Sequence, residues 1–220
     1  TDHHEIPYRE ENGERKVILP PADAILNPKQ YDCPYPNKNL CGAVVAFKYI
    51  TALYECFDVP QKELEDYYEL VAIATVGDVM DLQGENRILV KEGLRRLKNT
   101  KNKGLQELIR ANALEDARIT AYHIGFVLGP CINASGRLDT AARSLALLNA
   151  QTKEEAAKLA GDLTALNQSR KALTEKGKEE AIQLIETTEL KNDRVLVVYL
   201  PDCHESLAGI IAGRIREKYH

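Results

Sequence analysis

Residues 152–189 read TKEEAAKLAGDLTALNQSRKALTEKGKEEAIQLIETTE, and their periodicity is that of a single long helix. Apolar residues recur there at steps of three and four, which places them on one face of an amphipathic helix. The residues on this stripe are Leu159, Leu163, Leu166, Leu173, Ala181 and Leu184, with Arg170 and Gly177 among them. At the standard rise the helix is about 55 Å long. Such a length suits a connector between two domains better than an element of a core.

The segments on either side of this helix predict an α/β fold. On its carboxyl side, the apolar run 194–200 (RVLVVYL) predicts a strand, followed by a loop and then a helix over 206–218. On its amino side, residues 104–150 are expected to be mainly helical, with an interruption at 129–139. Nearer the amino end the patterns predict short strands at 17–19 and 24–26, and helices at 42–57, 61–71 and 85–98.

The composition is that of an ordinary soluble protein. The chain has 220 residues and is 44% hydrophobic, enough for one large or two small domains. Its net charge of −4 excludes the overall basicity of many nucleic-acid binders, although not a local basic patch. The five cysteines are odd in number and form no CxxC pair, so we expect reduced thiols. We find no transmembrane run and no signal peptide, and we expect a cytoplasmic protein with no membrane partner.

The amino end carries the strongest chemical signal, the adjacent residues Asp2, His3 and His4. A carboxylate beside two imidazoles suits a divalent cation such as Mn²⁺, and histidine can also hold a phosphate or move a proton. Three residues cannot complete such a site. Asp78 follows the apolar run 71–76, where α/β folds place ligands at the carboxyl edge of a sheet. It could equally be the N-cap of the following turn, and Asp81 is more typical of a surface carboxylate.

Residues 133–137 (NASGR) predict a second candidate site, for a phosphate. Small residues allow a backbone to approach a ligand closely, and Arg137 is suited to bidentate phosphate binding, with Asn133 beside it. The alternative is a tight connection between helices in which Arg137 pairs with a surface acid such as Asp139.

The last helix offers a third candidate site. His204 and Gly209 lie at its start, where unpaired backbone N–H groups favour an anion, although Ser206 as an ordinary N-cap explains the local pattern as well. One face of this helix is small, which predicts either close helix packing or close approach of a polymer; it comprises Ala208, Gly209, Ala212 and Gly213. Arg214 lies one turn beyond. Arg170, on the stripe of the long helix, either snorkels to solvent or contacts a phosphate.

The one notable basic cluster lies on the predicted helix 85–98. It comprises Lys91, Arg95, Arg96 and Lys98. The cluster predicts either a surface that DNA approaches or simply a solvated helix face.

Taken in order, these segments resemble the DHH phosphoesterases of the RecJ type. The resemblance covers essentially the whole chain, and it is the ordered series that is specific. The series consists of DHH (2–4), ADAILNPK (22–29), CPYP (33–36), CGAVVAFK (41–48), TVGDV (75–79), NR (86–87), INASGRL (132–138), LN (166–167) with Arg170, and HESLAGIIAGR (204–214).

The resemblance implies an α/β architecture in three parts. These are the C-terminal part of a DHH parallel-sheet domain (1–128), a helical connector (129–190) and the start of a DHHA1 α/β domain (191–220), with the active site in the cleft between the two domains. It implies that His3 and Asp78 bind Mn²⁺ or Mg²⁺, that Asp2 supports them and that His4 faces the scissile phosphate. Substrate contacts are implied for Asn133, Arg137, Arg170, His204, Gly209 and Arg214.

The implied activity is 5′-to-3′ hydrolysis of single-stranded DNA by two-metal catalysis, in repair and recombination. A single-strand-binding protein and a helicase are implied as further partners. The first two aspartate motifs of the family would precede residue 1, so we interpret the chain as a fragment and expect it to be nearly inactive by itself.

Two alternatives remain open. One is a DHH–DHHA1 phosphodiesterase for short oligonucleotides or cyclic dinucleotides, against which segments 22–36 and 133–137 argue. The other is a non-catalytic DHH-like scaffold, against which the retained residues Asp2, His3, His4 and Asp78 argue.

Overall fold

The computed structural model describes residues 1–219 and divides them into two compact units. Unit 1 comprises Thr1–Lys101 and Ala117–Gly129, and unit 2 comprises Asn102–Asp116 and the chain from Pro130 onward. The domain limits that the sequence suggests at 128 and 190 stay a prediction.

Unit 1 contains a short hairpin and a group of helices. Strands β1 (Tyr8–Glu11) and β2 (Glu14–Val17) pair antiparallel, with Tyr8 opposite Val17. Asn12 and Gly13 form the turn with φ of 54° and 82°, the left-handed conformation that these two residues tolerate best. The helices are α1 (Gly42–Cys56), a 3₁₀ helix (Gln61–Tyr67), α2 (Tyr68–Gly77), α3 (Gly84–Leu97) and, after the excursion into unit 2, the short α5 (Ala121–His123), which continues as a π-helical turn (Ile124–Leu128).

In unit 2, all regular secondary-structure elements among the described residues are helices. They are α4 (Lys103–Ala111), α6 (Gly129–Leu138), α7 (Ala142–Leu148), α8 (Lys153–Thr187), a 3₁₀ helix (Glu189–Asn192) and α9 (Glu205–Lys218). The 35-residue α8 starts where the Thr152 side chain accepts a hydrogen bond from the Glu155 N–H at 3.1 Å, an ordinary N-cap. No helix among the described residues is long and apolar enough to cross a membrane.

The mixed α/β class is confirmed, although the structure is mostly helical. Among the described residues, β1 and β2 are the only strands, so the predicted strands at 24–26 and 194–200 are wrong, and that at 17–19 contributes only Val17. Run 194–200 packs Leu196, Val198 and Leu200 against α8 and α9, and exposes the alternate residues Val195, Val197 and Tyr199. A strand requires a neighbouring strand for its ladder, and no described segment supplies one.

The predicted interruption at 129–139 is also wrong, because those residues form α6. The long helix is confirmed as α8, but its buried stripe is displaced from the predicted one. Leu173 and Leu184 are exposed. The buried residues are mostly small, namely Ala156, Ala160, Leu163, Asn167, Gly177, Ala181 and Ile185. A Cβ at Gly177 would lie 2.6 Å from Ile211 Cδ1, so small residues on this stripe let α8 approach α9 closely.

In unit 1, α2 and α3 pack closely against each other at Gly93. A Cβ at this position would lie 2.2 Å from the Tyr68 carbonyl oxygen and 2.4 Å from the Ala72 Cβ, closer than any side chain can come. Leu89 and Leu97 are buried one turn to either side. The absence of a side chain at Gly93 therefore sets the distance between the two helices.

Gly93→Ala should destabilise the protein by about 1–3 kcal/mol, because the added methyl group has to push α3 away from the α2 backbone. Gly161→Ala is the matched control: this glycine is exposed on α8 and a Cβ there meets nothing within 4 Å. Alanine lowers the conformational entropy of the unfolded chain at this position, which should stabilise the protein by about 0.5–1 kcal/mol. Urea unfolding of both variants measures the difference, and a similar effect of both would contradict the packing argument.

Candidate functional site

The amino-terminal segment 2–4 is fixed by the turn that carries Asn27. The Asp2 N–H donates to the Leu26 carbonyl at 2.9 Å, and Asn27 Nδ2 donates to the His4 carbonyl at 3.0 Å. Asn27 is buried, and its Oδ1 accepts from the Lys29 N–H at 2.9 Å. Both polar ends of the Asn27 amide are therefore satisfied, and the segment has a defined path.

Asp2 organises the two histidines that follow it. Its Oδ1 accepts from His4 Nδ1 at 2.7 Å, from the His3 N–H at 2.8 Å and from the His4 N–H at 3.3 Å. The hydrogen bond from the His4 ring, and then those from the two backbone groups, lower the pKa of Asp2 to about 2. Asp2 is thus a carboxylate at neutral pH and holds the His4 ring in one orientation.

His3 and Asp78 come together although 75 positions separate them in the sequence. His3 Nε2 lies 3.4 Å from Asp78 Oδ2, and the His3 ring is mostly buried against α1, where a Cβ at Gly42 would lie 3.4 Å from its Cδ2. Asp78 follows helix α2 directly, so it is not at the edge of a sheet as predicted. It is not the N-cap of the following helix either, because that position belongs to Gln83.

The position of Asp78 is electrostatically unfavourable for a carboxylate. The last carbonyl groups of α2 carry partial negative charge, and Asp78 is the residue that caps this end. Its ion-pair partner among the described residues is His3, which is charged only when protonated. The next residue, Val79, is exposed and has φ of 56°, a left-handed conformation that is costly for a β-branched side chain. A cation bound by Asp78 would offset the negative charge of the Asp78 carboxylate.

The donor types and spacing at this point fit a divalent ion. Imidazole nitrogen and carboxylate oxygen are ligands of Mn²⁺, and carboxylate oxygen is a ligand of Mg²⁺. Two ligands at right angles around an ion at ~2.1 Å are about 3 Å apart, close to the 3.4 Å between His3 Nε2 and Asp78 Oδ2. The described residues contain no group of three or more His, Cys, Asp or Glu side chains that could hold an ion. His3 and Asp78 therefore fit as two ligands of an incomplete site.

In unit 2, Arg137 binds the start of α9. Its Nη1 donates to the Ser206 carbonyl at 2.8 Å, and Ser206 Oγ donates to the Arg137 carbonyl at 2.9 Å. The alternative pairing with Asp139 does not form, because Asp139 binds Arg143 instead, with 2.7 Å between Asp139 Oδ2 and Arg143 Nε.

The N-cap of α9 is His204 and not Ser206, as the simplest local interpretation expected. His204 Nδ1 accepts from the Ser206 N–H at 3.3 Å and lies 2.8 Å from Ser206 Oγ. The small face of α9 is open: a Cβ at Gly209 or Gly213 would meet no described atom within 4 Å. Close helix packing therefore does not account for these glycines within the described residues.

The remaining predicted substrate residues differ in their surroundings. Arg170 donates from Nε and Nη2 to Asn167 Oδ1, at 3.1 and 3.0 Å. Burial, and then the positive charge of Arg137, lower the pKa of Arg170. Arg214 lies 3.5 Å from Glu217 on the exposed face of α9, and Asn133 is exposed on α6.

Two of the four cations in the basic cluster, Arg95 and Arg96, are paired with carboxylates. Arg95 and Arg96 both bind Glu92, and Arg96 Nη1 also binds Glu65 at 3.1 Å. The two guanidinium groups, Arg95 foremost, lower the pKa of Glu92 to about 2 despite partial burial. This favours the solvated-face interpretation over a surface that DNA approaches.

Asn27 and Asn167 are the two site residues that the sequence did not assign. Both belong to segments that carry the family resemblance, and both are buried. The available signal was weak: Asn27 precedes a proline, which marks a turn, and Asn167 is a polar residue beside an apolar stripe.

Comparison with known proteins identifies the family. No protein-family model matches the chain. The single-stranded-DNA-specific exonucleases RecJ of Dickeya dadantii and Escherichia coli are 38% and 36% identical to it over 233 residues, covering 100% of this chain and 39% of each relative. The chain thus spans about two fifths of the length of these relatives.

Solved structures agree with this comparison. RecJ from Thermus thermophilus in complex with Mg²⁺ is 33% identical with a TM-score of 0.72, over 84% of this chain and 29% of that one. An exonuclease RecJ bound to manganese is 33% identical with a TM-score of 0.79, over 92% of this chain and 50% of that one. The fold is the one expected of the DHH phosphoesterase class. Within that class the chain belongs to the RecJ family, and the resemblance inferred from the sequence is confirmed.

Asn27→Ala should destabilise the protein by about 1–3 kcal/mol, because it leaves the His4 carbonyl and the Lys29 N–H without their partner. Asn149→Ala, at an exposed asparagine at the end of α7, is the control and should change stability by less than about 0.5 kcal/mol. Urea unfolding together with limited proteolysis near residue 4 measures both effects. Equal behaviour of the two variants would show that Asn27 does not anchor the segment.

Val79→Gly should stabilise the protein by about 1 kcal/mol, because glycine adopts φ of 56° without the steric cost that a β-branched residue bears. Val195→Gly is the control, at a valine with similar exposure and without a positive φ, and it should not stabilise. Thermal unfolding distinguishes the two. A loss of stability in Val79→Gly would mean that the backbone at this position is not strained.

Proposed function

We propose that this protein is a metal-dependent exonuclease that hydrolyses single-stranded DNA in the 5′-to-3′ direction. The observation that carries the proposal is the pair of donor atoms His3 Nε2 and Asp78 Oδ2 at 3.4 Å, beside the His4 ring that Asp2 holds. The names of the relatives state the same activity for those proteins. Because this chain spans about two fifths of their length, the activity is proposed for the complete protein.

In this proposal His3 and Asp78 hold Mn²⁺ or Mg²⁺, the two ions present in the related structures. When bound, such ions activate water and neutralise charge on the phosphodiester. Asp2 orients His4 toward the scissile phosphate. Since two ligands alone bind an ion weakly, the 220-residue chain by itself should be nearly inactive.

The residues of unit 2 are proposed to contact the backbone of the DNA. Arg137 and Arg170 form no ion pair with any described carboxylate, so their positive charge is available to phosphate. His204, Gly209 and Arg214 lie on α9, whose amino end and open small face allow close approach of a strand. Asn133 is exposed on α6 and completes the proposed set.

We further propose a cytoplasmic role in DNA repair and recombination. Its single-stranded substrate would be generated by a helicase and covered by a single-strand-binding protein, and both are proposed as partners. The support for this role is membership of the family, because no described contact with a partner bears on it.

Asp78→Asn and His3→Ala should each reduce nucleotide release from a 5′-labelled single strand by more than about 100-fold in the complete protein with Mn²⁺. Removing a group that only orients a metal ligand costs ~10–100-fold, so removing a ligand should cost more. The double variant should be no worse than either single one, because the two residues act as a unit. Asp81→Asn is the control, at an exposed carboxylate three residues away, and should retain activity.

The products test the competing activities in the same assay. Release of mononucleotides from a long strand supports the exonuclease, whereas turnover of dinucleotides or cyclic dinucleotides alone would replace it with the phosphodiesterase. Full activity of Asp78→Asn would remove the metal-site assignment.

A further inference from the structure

Asn167 is a buried amide in the middle of α8, on a stripe that otherwise consists mainly of small and apolar residues. Its two polar ends meet two different groups. Nδ2 donates to Cys131 Sγ at 3.4 Å, and Oδ1 accepts from both Arg170 Nε and Arg170 Nη2, at 3.1 and 3.0 Å. Because two guanidinium nitrogens donate to the same oxygen, both the direction and the plane of the Arg170 guanidinium are fixed, which one hydrogen bond would not achieve.

The orientation of the Asn167 amide is determined from both sides. Arg170 has only donors, so it must face the amide oxygen. On the other side, the buried Cys131 thiol donates to Asn112 Oδ1 at 3.7 Å, which leaves its sulfur lone pairs for Asn167 Nδ2. An inverted amide would place its NH₂ group against the guanidinium and leave the sulfur without a donor. The α4–α6–α8 contacts therefore hold Arg170 through Asn167.

Burial, and then the positive charge of Arg137, lower the pKa of Arg170. No described carboxylate forms an ion pair with either of them. Arg143 in the same unit is different, because it binds both Asp139 and Asp162. A partly buried guanidinium without a counterion is unfavourable, and an anion bound to it would relieve this.

We propose that Asn167 is a positioning residue that holds the Arg170 guanidinium with a neutral acceptor, so that Arg170 binds a phosphate group. The identification of that phosphate as part of a DNA strand rests on the proposed function. The neutrality of the amide is essential, because a carboxylate at position 167 would orient Arg170 equally well but would compete with the phosphate for its charge.

The positioning itself can be tested without DNA by NMR of the arginine side chains. In the wild-type protein the Arg170 Nε–H should exchange slowly with solvent, and in Asn167→Ala this protection should be lost. Asn167→Asp should retain the protection and also shows whether the fold tolerates a change at this position. Unchanged protection in Asn167→Ala overturns the inference.

Titration with inorganic phosphate tests the anion site in the same spectra. The Arg170 Nε–H signal should shift in the wild-type protein, and the shift should be reduced at least about fivefold in Asn167→Asp and unchanged in Arg143→Ala. An absent shift in the wild-type protein, or an equal shift in all three, overturns the inference.

Single-stranded DNA binding then tests the link to function. Arg170→Ala should reduce the slope of log K against log salt by about 0.7, the value for one phosphate contact on a single strand. Asn167→Asp should reduce it equally while thermal stability is kept, and the double variant Asn167→Ala/Arg170→Ala should bind like Arg170→Ala alone. Arg143→Ala is the control and should leave the slope unchanged.

The two proposals fail in different ways. Wild-type slope in Asn167→Asp, or additive losses in the double variant, overturn the role of Asn167. If the wild-type protein binds phosphate as described but does not bind single-stranded DNA, the proposed function fails and the positioning role stands.

Discussion

The contact between α2 and α3 at Gly93 determines the geometry of unit 1. Because no side chain separates Gly93 from the Tyr68 carbonyl, the two helices are held at one distance, and the carboxyl end of α2 has a fixed position. That end carries Asp78, and its carboxylate meets a His3 ring that rests against Gly42 at the start of α1. Two positions without a side chain thus decide where the histidine and the carboxylate meet.

The sequence predicted those features that depend on local order along the chain. The 3.6-residue period was sufficient for α8, and the ordered series of short motifs was sufficient for the family. Strand 194–200 could not be decided in this way, because an apolar run becomes a strand only when another strand pairs with it. The same holds for Asn27 and for one side of the Asn167 amide, since each contacts a group distant in sequence: the His4 carbonyl, and a thiol on another helix. The sequence shows that these residues are asparagines, but it does not show which distant groups their side chains contact.

The distribution of positive charge illustrates the same point. Basic residues are densest on α3, yet Arg95 and Arg96 are paired there with Glu92 and Glu65. Arg137 and Arg170, which are isolated in the sequence, donate to neutral oxygen acceptors in the structure and form no ion pair with a described carboxylate. For binding a polyanion, the number of cations in a cluster matters less than the absence of carboxylates around each one.

The contact between Asp2 and His4 also fixes a tautomer. Since the Asp2 carboxylate is ionised, it can only accept, so the ring hydrogen of a neutral His4 must lie on Nδ1. Nε2 is then a bare lone pair directed away from Asp2. A neutral His4 can therefore accept a hydrogen bond or bind a cation through Nε2, whereas a hydrogen bond from Nε2 to a phosphate oxygen requires the protonated ring.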